Sequence, residues 1–127
     1  MTLAEELAPL LARPWLLVGV GSDLRGDDAF GPLLAHRLAE EGLPAFDAGT
    51  SPESLTGPIL RSGAEVLVFA DVGNLGAPAG TLRLLSASAV PPGGTSTHDP
   101  SLGLLVAYLA AQRPFTVRIL AVEPARM

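Results

Sequence analysis

The sequence predicts an α/β fold: a single three-layer domain whose mostly parallel sheet is covered by helices on both faces. Three observations lead there. Short apolar runs bounded by Gly, Pro or Asp recur along the chain, as buried strands do. Stretches with apolar residues at helical spacing lie between them, and strands alternating with helices favour parallel pairing. A length of 127 residues, without repeats, linker or low-complexity block, suits one domain.

Leu3, Leu7, Leu10 and Leu11 follow a helical period, which predicts a short amphipathic helix ended by Pro14. "WLLVGV", Trp15 to Val20, reads as a buried strand. The next helix is expected over Phe30–Glu41, with Phe30, Leu33, Leu34 and Leu38 on one face. Pro32 fixes its start, because proline is tolerated only in the first turn, and Gly42 ends it. "PAFDAGT" reads as a second, shorter strand, after which Ser51 or Ser54 can cap a helix running to about Arg61. In "EVLVFADV" the apolar run Val66–Ala70 is a third strand stopped by Asp71. "GTLRLLS" is a fourth strand and "VPPGGTST" a loop. "HDPSLGLLVAYLAAQ" opens with Asp99 as N-cap and Pro100 at the first helical position. Leu102, Leu105, Val106 and Leu109 then form its apolar face, and "FTVRILAV" is the fifth strand.

Composition removes several functions. There is no cysteine, so thiolate metal sites, cysteine nucleophiles and disulfides are excluded. That absence fits a reducing compartment, and a cytoplasmic location is expected. The net charge is -5, and all eight basic residues are scattered arginines, which is not the footprint of a nucleic-acid partner. No apolar stretch is long enough to insert in a membrane.

Ligands of open parallel sheets bind beyond the carboxyl ends of the strands. Three residues fall at such places: Asp28 after strand one, Asp71 at the end of strand three, and His98 just before a helix. Each has a plainer role available. Asp27 or Asp28 can cap the Phe30 helix, Asp71 can stabilise the turn "DVGN", and a lone histidine is usually a surface residue. His36, in mid-helix, is taken as an ordinary surface residue. Together the three are more informative. Two carboxylates within ~4 Å repel by roughly 4 kcal/mol at an effective dielectric near 20. A divalent cation removes that conflict and gives a neutral imidazole a task. Two oxygens and one nitrogen suit a first-row ion such as nickel or zinc, and three protein ligands leave a position open for water or substrate.

The glycine turn "LVGVGSDLRGDDAFGP" is otherwise a candidate phosphate site. Its G-x-G is not completed to G-x-G-x-x-G, because position 24 is Leu, and the turn carries its own anions. Asp47 lies where a ribose-binding acid would sit, so a small nucleotide-binding module stays as an alternative. The chain has no lysine and so no G-x-x-x-x-G-K-[ST] loop, and it lacks G-x-S-x-G and H-E-x-x-H.

"GVGSDLRGDDAFGP" resembles the opening motif of the hydrogenase maturation proteases. Three further segments match in order: "DAGTSPE" at 47–53, "VLVFADVGNLGAPAGTLR" at 66–83 and "STHDPSLGLLVAYL" at 96–109. The resemblance implies one α/β domain with a five-stranded twisted sheet. It implies an endopeptidase that trims a C-terminal peptide from the [NiFe]-hydrogenase large-subunit precursor once nickel is in place. Carried over by position, the catalytic and metal-contacting residues are Asp28, Asp71 and His98. The nickel comes with the precursor, and zinc or cadmium can take its place. Gly49 and Thr50 are expected to line the substrate groove or simply to form a turn. A non-catalytic nickel-site checkpoint on the same fold is the second reading.

The sequence departs from the family in two ways. Ser22 stands where the family usually has Asn. The family's final helix is expected to be missing after "VEPARM", and residues 1–13 form a helical extension expected to cover the sheet face thus left bare.

Overall fold

The computed structural model describes residues 1–22, 29–73, 75–86 and 102–125. Five strands form one sheet: β1 (Trp15–Val20), β2 (Ala45–Gly49), β3 (Val66–Val72), β4 (Leu82–Ser86) and β5 (Thr116–Val122). Their order is β2-β1-β3-β5-β4. All pairs are parallel except β4 with β5, so the reversed strand sits at an edge. The helices are α1 (Leu3–Leu11), α2 (Phe30–Glu40), α3 (Thr56–Arg61) and α4 (Leu102–Gln112), with a 3-10 turn at Pro52–Leu55 before α3.

Side chains alternate across the sheet and build two cores. Leu67 and Phe69 of β3 pack with Val18, Ile119 and the α3–α4 residues Ile59, Leu105 and Leu109. Val66, Val68 and Ala70 face the other way, towards Ala35 and Leu38 of α2. Every residue of β3 is buried, as a central strand with helices on both faces requires. Burial of each large apolar side chain is worth roughly 1.5–3 kcal/mol, so four such residues in a row outweigh the several kcal/mol that one buried carboxylate costs. Asp71 is that carboxylate. It lies inside β3 rather than stopping it, because its backbone still pairs with Ala121 and Val72 pairs with Val122.

The N-terminal helix packs against the sheet. Leu3 and Leu10 of α1 pack in the second core together with Leu84 of β4, beside α2. Thr2 caps the helix: its hydroxyl accepts from the Glu5 N–H at 3.1 Å, and the Glu5 carboxylate accepts from the Thr2 N–H at 3.0 Å. The Thr2 N–H foremost, and the Thr2 hydroxyl after it, hold the Glu5 carboxyl below its ordinary range.

The start and end of α2 decide where the site can be. Pro32 lies in its first turn, as expected. The N-cap is Ala29, with no side-chain capping bond. At the far end Gly42, at φ 77, closes a Schellman motif, with Gly42 N–H donating to Ala39 and Leu43 N–H to Leu38. The expected apolar face needs one correction. Leu33 is exposed, while Gly31, Pro32 and Ala35 are buried. The helix lies so close to the sheet that small residues occupy the contact, and the larger Leu34 and Leu38 flank it. The serine caps also need correcting. Ser51 precedes the 3-10 turn without a side-chain cap bond, and the Ser54 hydroxyl donates to the Ser51 carbonyl instead.

Candidate functional site

The strand order puts a topological switch point between β1 and β3. From β1 the chain crosses by α2 to β2 on one side; from β3 it continues to β4 and β5 on the other. Connections that diverge in this way open a crevice at the carboxyl ends of the two strands. Two features flank it: the turn that leaves β1 at Gly21, and Asp71 on β3.

Two glycines bring α2 onto this seam. A Cβ added to Gly31 would stand 2.3 Å from the Ala70 carbonyl oxygen and 2.4 Å from that of Val20. One added to Gly19 would stand 2.1 Å from the Gly31 carbonyl oxygen. All three distances are far inside contact range, so hydrogen is the only side chain that fits at either position. The first turn of α2 therefore rests directly on the peptide group that leads into Asp71.

Asp71 is the only buried charged side chain among the described residues, at 1 % exposure. Strand alternation puts it on the face of Leu67 and Phe69, above which α4 packs. One carboxylate oxygen, Oδ1, accepts from the Val72 N–H at 2.8 Å. Asp28 and His98 lie outside the described residues. Their neighbours do not: Ala29 is buried at the start of α2, and Leu102, four residues after His98 in the sequence, is buried at the start of α4. Among the described residues no group of three His, Asp or Glu is arranged to hold a metal ion.

Gly49 and Thr50 close β2 at the same rim. The β1–β2 register slips here, from Gly19 opposite Asp47 to Val20 opposite Gly49, leaving Ala48 as the extra residue of a bulge. Gly49 turns into the left-handed region at φ 57, and its carbonyl accepts from the Gly21 N–H at 2.8 Å. Thr50 is exposed beyond it. Asp47 is committed to the protein. Its Oδ1 accepts from the Gly49 N–H at 2.8 Å, and Oδ2 lies 2.9 Å from His36 Nε2. This is not the open acid that a ribose would need. His36 is on the surface, as expected, but it has a specific partner there. The Asp-x-Gly sequence announces the first of these bonds as an Asx turn. Nothing local announces the second.

Two further features complete the rim. Glu123, just after β5, accepts from the N–H groups of Leu75 at 2.7 Å and Ala77 at 3.3 Å, tying down the loop that follows β3. An open groove of about 440 Å³ lies on the α2 side, lined by Phe30, Leu33, Gly80, Val122 and Pro124, which is where the exposed Leu33 finds its place.

The family described as HycI, hydrogenase maturation protease, matches residues 32–127. This chain belongs to the hydrogenase maturation proteases. The matched span takes in Asp71 and His98 and begins just after the glycine turn that holds Asp28. Among solved structures, the [NiFe] hydrogenase maturation protease HycI from Thermococcus kodakarensis is 27% identical with a TM-score of 0.80, over 96% of this chain and 82% of that one. The endopeptidase HycI from Escherichia coli shares the fold at 24% identity and a TM-score of 0.76, over 88% and 74% of the two chains. HybD from Thermococcus kodakarensis shares it at 18% identity and a TM-score of 0.68, over 90% and 82%. A search of curated protein sequences finds no match. Among the described residues no helix of this maturation protease is long and apolar enough to cross a membrane.

Proposed function

We propose that this chain is an endopeptidase that removes a C-terminal peptide from a [NiFe]-hydrogenase large-subunit precursor already carrying nickel. The observation that carries the reading is Asp71: a charged residue in an otherwise apolar, wholly buried central strand, beside the switch point, in a chain of this family. A carboxylate is expensive in such surroundings, which marks it for chemistry.

The nickel belongs to the substrate. Asp28, Asp71 and His98 complete its coordination, so a precursor without metal lacks the anchor that would hold its tail in the crevice. Zinc or cadmium can stand in for nickel at the same donors. The bound ion supplies Lewis acidity towards the scissile carbonyl or the attacking water. Water oxygen adds to the carbonyl carbon, the carbon–nitrogen bond breaks, and the proton passes to the departing amine. Gly49 and Thr50 form one wall of the groove that receives the extended tail. The work belongs in the cytoplasm, where a reducing environment matches a chain without cysteine.

The test is to incubate the protein with nickel-loaded and nickel-free precursor and weigh the products by mass spectrometry. A shortened product from the loaded precursor alone is expected. An uncut precursor that nevertheless binds in a nickel-dependent way would replace this reading with the non-catalytic checkpoint.

A further inference from the structure

We propose that His36 is a positioning residue for substrate: through Asp47 it fixes the bulge at Ala48 and so the Gly49–Thr50 edge against which the precursor tail lies. This rests on the function proposed above and adds a residue to it that lies outside the crevice.

The His36 side chain is 64 % exposed, so it is not there for burial. It projects from the outer part of α2, yet its Nε2 is 2.9 Å from Asp47 Oδ2. A carboxylate oxygen only accepts, so Nε2 carries the proton and donates. That leaves Oδ1 of the same carboxylate aimed at the Gly49 N–H. Gly49 is in turn held on its carbonyl side by Gly21, the residue that opens the glycine turn after β1. One chain of contacts thus runs from α2 to the crevice: His36, Asp47, Gly49, Gly21.

The geometry needs such a latch. β2 is an edge strand, with one neighbour only, and its last residues depart from regular pairing at the bulge. Gly49, at positive φ, has the widest conformational choice of any residue type there. Left alone, the turn would wander. Asp47 holds it from one side, and His36 restrains the rotation of Asp47 about its own side-chain bonds. Thr50 is then presented at a fixed place on the rim.

The test compares His36→Ala with His36→Gln, whose amide restores a donor. In the processing assay with nickel-loaded precursor, H36A should raise KM about five-fold, as expected for one partly exposed hydrogen bond to a charged group, and leave kcat within about two-fold. H36Q should return KM to the wild-type value. Hydrogen exchange at the Gly49 amide should accelerate about ten-fold in H36A, while amides of β3 keep their rates. An unchanged KM in H36A overturns the proposal, and so does a fall in kcat that H36Q does not repair. A wild-type protein that binds precursor without cutting it would sink the catalytic reading instead. Kd then replaces KM, and equal Kd for wild type and H36A overturns the role of His36.

Discussion

Asp71 and Asp47 stand at the same rim of the same sheet and do different things. Asp71 is on the central strand, buried, on the seam where the chain's connections diverge. Asp47 is on an edge strand, partly exposed, with one oxygen on its own turn and the other on a helix. The residue type is the same, so position decides the role. At the centre, packing from both faces excludes water and makes a carboxylate costly, which is the ground for the ligand-binding role proposed above. At the edge, water and local donors are at hand, and a carboxylate becomes a brace.

The largest effect is expected at the centre, from Asp71→Asn, and intact activity there would undo the contrast between the two aspartates. That variant keeps the volume and loses the charge, and processing of nickel-loaded precursor should fall about a hundred-fold or more, with the circular dichroism spectrum unchanged. The second effect is on stability at the centre. Gly31→Ala drives a methyl group into the carbonyl oxygens of Ala70 and Val20, and overpacking of this kind costs about 2–3 kcal/mol, read as a lower denaturant midpoint. A midpoint equal to wild type would show that α2 does not rest on the seam. The smallest effect is at the edge. Asp47→Ala removes two partly exposed hydrogen bonds and should cost about 1 kcal/mol by the same measurement. A loss as large as that from Gly31→Ala would erase the distinction between centre and edge.

The strands were legible because apolar runs between turn residues need no tertiary information: β1 runs from Trp15 to Val20, as read. The ends of α2 were legible to within a residue, through Pro32 and Gly42. The failures share a cause. Leu33 obeys the helical period, but two glycines let the helix approach until Gly31 and Ala35 make the contact, and no periodicity encodes that distance. Asp71 looks like a stop signal, yet β5 supplies pairing partners beyond it. His36 and Asp47 are eleven residues apart on different elements, and only the packing of α2 beside β2 makes them neighbours. The position of Asp71 at a carboxyl end was readable. Its burial was not, since that depends on strands and helices drawn from the whole chain.

The unbroken burial of β3 limits how anything can meet its acidic side chain. Strands shield it left and right, and helical layers roof it above and below. A visitor approaching broadside meets paired backbone on two sides and apolar side chains on the other two. On the function proposed above, the precursor's tail would enter end-on, parallel to the strands, as a slender, unfolded segment can and a bulky folded surface cannot.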